Sequence, residues 1–164
     1  MNKSFVHLHA HTEYSMLDGA AKINDYLKKV KELNQPAAAM TDHGNLYGAL
    51  EFVRQAESFG IKPIIGYEAY LTPGSRFERP DRDKNKRYHL TLLAENNIGY
   101  QNLVELASKA YLEGFYYKPR VDYELLREHS KGLIALSGCL GGEVAQHLAP
   151  DGSREEGNTA NEKS

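Results

Sequence analysis

Short apolar runs that end in histidines most constrain what this chain can fold into. The chain opens with Phe-Val-His-Leu-His-Ala-His-Thr at residues 5–12, and Met-Thr-Asp-His-Gly follows at residues 40–44. An apolar run ending in alternating histidines is typical of a buried strand whose carboxyl-terminal tip carries metal ligands. A period of two places His7, His9 and His11 on one side of that strand. Because neutral imidazole is the commonest metal ligand, these runs predict a metal site at the mouth of an α/β fold.

Strand and helix patterns alternate along the rest of the chain. Apolar residues at intervals of three and four predict helices over residues 23–33, 46–60, 97–112 and 123–129. Short buried runs predict strands over residues 5–9, 36–40, 61–66, 68–71, 89–94 and 132–137. Strands that alternate with helices indicate parallel pairing through right-handed crossovers. The predicted fold class is therefore an α/β sheet or barrel.

Length and composition narrow the class of protein further. At 164 residues the chain is long enough for one domain, which we expect over residues 1–149, and the polar residues 150–164 are predicted to be a disordered tail. Cys139 is the single cysteine, which excludes an internal disulfide and favours the cytoplasm. No apolar stretch is long enough for a membrane span, and no signal peptide is evident. With a net charge of −2, affinity for nucleic acid would have to come from a local patch.

One such patch is the charged run at residues 76–87, which has six basic residues against three acidic ones. A run of this kind is most often a solvated loop, and we favour that interpretation. The alternative is a contact with a phosphate backbone through its basic residues Arg76, Arg79, Arg82, Lys84, Lys86 and Arg87.

The candidate metal ligands lie where predicted strands end. His9 and His11 close the first strand, and three further candidates each follow a later strand, namely His43, Glu68 and Cys139. The carboxyl ends of parallel strands meet at one mouth, so these side chains should converge. His89 fits less well because it begins its predicted strand. His7 lies one position too deep, and His129 and His147 lack such a placement.

The mixture of imidazole, carboxylate and thiol predicts the metal and its chemistry. These ligands suit zinc, manganese or iron, and the cysteine favours zinc. A bridging carboxylate such as Glu68 would hold two metals in the arrangement used for phosphoester hydrolysis. No serine or cysteine nucleophile with a paired base is evident. The sequence therefore predicts a metal-bound hydroxide as the nucleophile and no further catalytic side chain.

Four stretches carry a resemblance to a known family. Residues 7–21 closely resemble the start of the PHP (polymerase and histidinol phosphatase) domain, in the version that opens the alpha subunit of bacterial DNA polymerase III. Residues 41–45, 60–70 and 136–139 are similar to that subunit too, and the likeness runs over residues 5–148. The resemblance implies a distorted seven-stranded βα barrel, similar to a TIM barrel, with up to three metals at its mouth. It also implies a ligand set: His9, His11, Asp18, His43, Glu68, His89 and Cys139, of which Asp18 is indicated by the resemblance alone.

The resemblance also implies a function and partners. The parent chain would be a DNA-directed DNA polymerase, a nucleotidyltransferase of DNA replication, whose intact PHP domain is a metal-dependent 3′–5′ exonuclease that proofreads. Its partners would be DNA, the remainder of the alpha subunit, a separate proofreading subunit and other replisome proteins. The family's last Asp-x-His pair has no counterpart here, so we expect part of a barrel with exposed strand edges. Two alternatives are a stand-alone phosphoesterase of the histidinol-phosphatase type and a non-catalytic scaffold that docks a proofreading subunit.

Overall fold

Five helices alternate with five strands in the computed structural model, which describes residues 5–16 and 18–149. The predicted tail at residues 150–164 lies outside the described residues. In chain order the elements are α1 (Ile23–Glu32), β1 (Ala37–His43), α2 (Ala49–Phe59), β2 (Lys62–Leu71), β3 (Tyr88–Ala94), α3 (Asn97–Leu112), β4 (Arg120–Val121), α4 (Tyr123–Glu128), β5 (Leu133–Leu136) and α5 (Glu143–Leu148). A single 3₁₀ turn, Arg82–Lys84, lies between β2 and β3. The predicted α/β class is confirmed.

The sheet is mixed, which corrects the prediction of parallel pairing throughout. Its order is β1-β2-β3-β5, and β4 pairs with the last two residues of β2. Strands β1 and β4 run parallel to β2, whereas β3 is antiparallel to both β2 and β5. A parallel return needs a crossover, usually a helix, and the link from β2 to β3 contains only the 3₁₀ turn. Within the described residues the sheet is open, with β1 and β5 at its ends.

The predicted strand at residues 5–9 is wrong, although the segment that follows it does lie against β1. The Thr41 amide donates to the Ala10 carbonyl at 2.9 Å, as a strand partner would. The Ala10 amide, however, donates to the Thr41 hydroxyl at 2.8 Å instead of to a backbone carbonyl. A side chain thus takes the place of the next backbone acceptor, and the ladder does not continue.

The two faces of β2 carry different chemistry. Alternate residues Tyr67, Ala69 and Leu71 belong to the apolar core, which they share with buried side chains of the helices. Glu68 and Tyr70 lie on the opposite face by the same alternation. Helix α2 ends at Gly60, whose φ of 70° is the left-handed conformation that glycine adopts most readily. No helix in the described part of the chain is long and apolar enough to cross a membrane.

The charged run between β2 and β3 is held by two buried arginines. Arg120 is fully buried, and its guanidinium donates to the backbone carbonyls of Gly114, Arg76 and Glu78 at 2.7–3.0 Å. The Arg76 guanidinium forms ion pairs with Glu113 at 2.7 Å and with Asp122 at 3.1 Å. The charge of Arg76 is therefore neutralised by carboxylates inside the fold, and the alternative of a DNA contact through the run stays a prediction.

Replacing Arg120 should destabilise the whole fold. Arg120→Ala leaves three carbonyls without their charged donor, so we expect the free energy of unfolding to fall by about 3 kcal/mol in urea denaturation. Arg120→Lys should recover only part of it, because one ammonium cannot reproduce the planar fork. The control is Arg127→Ala at an exposed position of α4, which should change stability by less than about 0.5 kcal/mol. Equal stability of the Arg120→Ala and Arg127→Ala proteins would contradict this role.

Candidate metal centre

A buried carboxylate lies at the centre of the candidate site. Glu68 is 1% exposed, and it lies opposite His43 of β1 in the parallel register. Its Oε2 atom is 2.6 Å from His9 Nε2, 3.1 Å from His11 Nε2 and 3.7 Å from His43 Nδ1. Its Oε1 atom is 2.8 Å from His89 Nδ1. Four imidazoles thus surround one carboxylate.

The polarity of β3 explains why His89 belongs here. His89 begins its strand, and a parallel β3 would have placed it at the far edge of the sheet. Because β3 is antiparallel to β2, the start of β3 lies beside the end of β2, where His89 is paired with Tyr70. His89, whose place at the start of a strand fitted the predicted metal site least well, therefore lies beside the other candidate ligands.

The remaining two predicted residues also reach this cluster. Asp18 Oδ2 is 2.7 Å from His43 Nε2, on the solvent side. Cys139 follows β5, and its Sγ atom is 3.5 Å from both His89 Nδ1 and Glu68 Oε1. The structure thus brings together every residue of the predicted ligand set. His7 is exposed and its ring contacts Phe5 instead.

The donor atoms form three overlapping groups that suit metal ions. In each group the donor atoms lie within 4.8 Å of one another, and the groups are His9 with His11 and Glu68, His11 with Asp18 and His43, and His43 with Glu68 and His89. The two oxygens of Glu68 face different donors, as a bridging carboxylate requires. His43 Nδ1 is buried and has no hydrogen-bond partner among the described residues. A divalent ion would satisfy this nitrogen, so the residues fit the group that they are predicted to hold.

The electrostatics of the cluster follow from one buried anion among imidazoles. Burial raises the pKa of Glu68, but hydrogen bonds from His11, His89 and His9 outweigh it and the pKa is strongly lowered. The contacts with Cys139 and Glu68 raise the pKa of His89 to about 9. The hydrogen bond to Glu68 raises the pKa of His11, whereas burial lowers that of His43. Glu68 therefore stays ionised, and His89 is protonated at neutral pH, so a divalent ion bound here would take the place of that proton.

Buried hydroxyl groups hold the histidine-bearing segment in place. The Asp42 carboxylate accepts hydrogen bonds from the Thr12 amide at 2.5 Å and from the Thr12 hydroxyl at 2.7 Å. The Ser15 hydroxyl accepts from the His43 amide at 3.1 Å. All three side chains are buried. Sequence reasoning missed them, although Thr12 directly follows His11 and Asp42 directly precedes His43.

Tyr70 is a second residue that sequence reasoning missed. Its ring stacks on the His43 ring at 5.7 Å and meets the His89 ring edge-on at 5.4 Å. Tyr70 lies two residues after Glu68 on the same strand. The period of two was the signal that could have placed it on the same face.

Comparison with known proteins gives a consistent set of relatives. The family model described as PHP domain matches residues 7–163. DNA polymerase III subunit alpha of Thermus aquaticus is 62% identical over 152 residues, and the match covers 90% of this chain and 12% of that protein. The same subunit of Deinococcus radiodurans is 56% identical over 154 residues, with 89% and 12% covered. The chain thus spans about 12% of the length of these relatives.

Among solved structures, an amidohydrolase from Chromobacterium violaceum is similar with a TM-score of 0.46 and 20% sequence identity. That match covers 64% of this chain and 32% of the other. At this TM-score the likeness carries no weight for fold or function.

Removing the Thr12 hydroxyl should loosen the segment that carries His9 and His11. Thr12→Val keeps the shape but leaves a buried carboxylate oxygen of Asp42 without its donor, which costs about 1–3 kcal/mol of stability. We expect faster amide hydrogen exchange at residues 8–16 in the chelator-treated chain. The control is Thr91→Val, the same change at a buried threonine on β3, outside the segment that carries His9 and His11. Similar exchange in both variants would contradict the proposed role of Thr12.

The stability of the chelator-treated chain should depend on pH through His89. The pKa of His89 is raised from 6.5 to about 9, so its contribution is complete below pH 6.5 and is lost as the pH rises through about 9. We expect the urea midpoint to fall over this interval, and His89→Gln should reduce the slope. His147→Gln, at an exposed histidine outside the cluster, should leave the slope unchanged. An unaltered slope in His89→Gln would contradict the assignment.

Proposed function

The chain belongs to the PHP domain family, and on that premise we propose that the cluster around Glu68 binds divalent metal ions and supports hydrolysis of phosphodiesters. One observation carries this proposal above the others. A nearly inaccessible carboxylate faces four imidazoles, and each of its oxygens meets a different set of donors. Burying a carboxylate costs free energy unless a cation or hydrogen-bond donors compensate its charge, because an isolated buried anion is strongly unfavourable.

The proposed ligands are the seven residues of the cluster. His9 and His11 would hold one ion with Glu68, and Asp18 and His43 would hold another. Glu68 would bridge to the position formed by His89 and Cys139. Support comes from the short distances between these donors and from the unpartnered Nδ1 of His43.

The chemistry of the donors favours zinc, with manganese or iron as alternatives, and up to three ions in an intact domain. Imidazole with one thiolate is typical of zinc sites, whereas carboxylate and imidazole alone would also suit manganese and iron. Bound divalent ions would supply Lewis-acid activation of water and neutralise charge on a phosphate.

The side chains of the chain itself would orient the substrate. Glu68 forms the buried floor, whereas His9, His11 and His89 keep part of each ring exposed and Asp18 lies at the rim. A phosphodiester could therefore approach from the side on which these rings are exposed. Substrate would meet the exposed edges of the imidazoles, and the buried Glu68 would keep those rings in position through its hydrogen bonds.

The relatives suggest the larger protein in which this chemistry operates. We propose that the chain is the amino-terminal PHP portion of a bacterial DNA polymerase III alpha subunit, since relatives carrying that name are 50–62% identical over most of the chain. The parent protein would be a cytoplasmic DNA polymerase, with DNA and the other replication subunits as partners. Within it, the metal cluster would serve as a 3′–5′ exonuclease that removes mispaired nucleotides.

Metal analysis of the untagged chain tests the proposal. We expect bound zinc or manganese by elemental analysis of the purified chain, and its loss in the double variant His9→Ala with His11→Ala. The matched control replaces His129, which lies outside the cluster and contacts Lys109 and Asn102 instead, and His129→Ala should retain the metal.

Activity assays then separate the proposed function from its alternatives. Metal-dependent shortening of a 5′-labelled oligonucleotide from its 3′ end would support the exonuclease. Turnover of a small phosphomonoester without action on DNA would favour a phosphatase of the histidinol-phosphatase type. A chain that binds no metal yet captures a proofreading subunit would favour the scaffold.

A further inference from the structure

We propose that Tyr47, Tyr111 and Phe115 form a platform on which unpaired bases of a single-stranded nucleic acid stack as the strand approaches the metal cluster. This inference rests on the proposed function and adds to it the part of the substrate that the chain recognises. These rings are not used by the metal site. Two of them, Tyr111 and Phe115, belong to the aromatic-rich stretch of residues 111–117, which the metal site leaves unexplained.

The three rings form one continuous and accessible surface. Tyr47 lies in the loop after β1, and Tyr111 and Phe115 lie at the end of α3 and just beyond it. The ring centroids of Tyr47 and Tyr111 are 6.4 Å apart, and those of Tyr111 and Phe115 are 6.0 Å apart and stacked. Tyr47 is 65% exposed and Phe115 is 51% exposed. Large aromatic rings exposed in a contiguous group mark a binding surface.

This surface lies near the metal cluster. The loop that carries Tyr47 begins at Gly44, directly after His43, and a side chain at Gly44 would meet the Tyr70 ring at 3.2 Å and the Pro119 ring at 2.9 Å. Tyr70 in turn stacks on His43. Tyr70 also lies close enough to Tyr111 to contribute to the raised pKa of the Tyr111 phenol. A strand lying on the three rings would therefore pass Tyr70 before it reached His43.

One cation near this surface could contact a phosphate of such a strand. Lys118 Nζ is 5.5 Å from the centroid of the Tyr70 ring. The Tyr111 phenol is neutral at physiological pH, and burial raises its pKa further. The platform thus combines neutral aromatic rings with positive charge, which is how proteins bind single strands without reading their sequence.

The chemistry favours unpaired bases over a duplex or a protein partner. A base can stack on a protein ring only when its own face is free, and the bases of a duplex already stack on each other. A protein partner would not require cations beside the rings. Stacking also explains why the rings lie next to a site for phosphodiester hydrolysis, because a held base fixes the position of the next phosphate.

A tryptophan reporter tests the proposal directly, because the chain contains no tryptophan. We would prepare Phe115→Trp and titrate it with a twelve-residue oligothymidylate at low salt in the presence of a chelator. Stacking on bases should quench the tryptophan emission. The matched control is Tyr100→Trp, eleven residues before Tyr111 on the same helix, with 41% exposure against 39% for Tyr111. We expect no quenching there.

Affinity measurements by fluorescence anisotropy complete the test. Tyr111→Ala and Phe115→Ala should each weaken binding of the oligothymidylate about tenfold, as loss of one stacked base predicts. Tyr100→Ala should bind like the parent chain, and circular dichroism would verify that each variant is folded. A duplex of the same length should bind more weakly, and its binding should not respond to these substitutions.

Several results would overturn the platform. These are absence of binding at low salt, equal quenching of both reporters, or unchanged affinity after loss of Tyr111 and Phe115. Because the titrations are made with chelator, they do not depend on metal binding. A failed platform in a chain that takes up metal in the elemental analysis would leave the proposed hydrolysis intact. A chain that binds the strand but takes up no metal in that analysis would overturn the hydrolysis alone.

Discussion

The rest of the structure depends on the hydrogen bonds and ion pairs that the buried Glu68 carboxylate makes. A carboxylate with 1% exposure is tolerated only when its charge is neutralised and its oxygens accept hydrogen bonds. Here the partners come from the amino-terminal segment, from β1, from β3 and from the loop after β5. Elements that are distant in sequence must therefore meet at the end of β2. The same requirement explains the buried contact of Thr12 with Asp42, which fixes the segment that supplies two of the imidazoles.

Strand polarity is the second constraint, and it links the metal cluster to the charged run. A helical crossover after β2 would have made β3 parallel and carried His89 away from Glu68. Instead the chain returns through residues 72–87, which contain no α-helix or strand and are held by the buried guanidinium of Arg120. Arg120 thus holds the link that allows β3 to run antiparallel to β2. The antiparallel β3 in turn places His89 beside Glu68.

Local patterns predicted the helices and most strands, but they could not predict how strands pair. The bounds of α3 at Asn97–Leu112 and the end of α2 at Gly60 follow from apolar spacing and a glycine stop, which are properties of neighbouring residues. Strand polarity and the loss of the first strand depend on partners far along the chain, such as Thr41 for Ala10. Within the site, His9, His11, His43, Glu68 and Cys139 were predicted from strand ends. Asp18 came only from the family resemblance, because a carboxylate in a turn has no local signature.

The charged run shows why basic residues in a sequence do not by themselves identify a surface that binds nucleic acid. Arg76 looked like a free cation in the sequence, yet its guanidinium is matched by Glu113 and Asp122, which lie 37 and 46 residues away. Charge that is neutralised within the fold cannot contribute to affinity for phosphate. The more specific feature is the alternation of β2, in which Glu68 and Tyr70 share one face. On that face the carboxylate proposed to bind metal and the Tyr70 ring lie two residues apart, so a single strand of the sheet relates the proposed hydrolytic site to the surface proposed to hold its substrate.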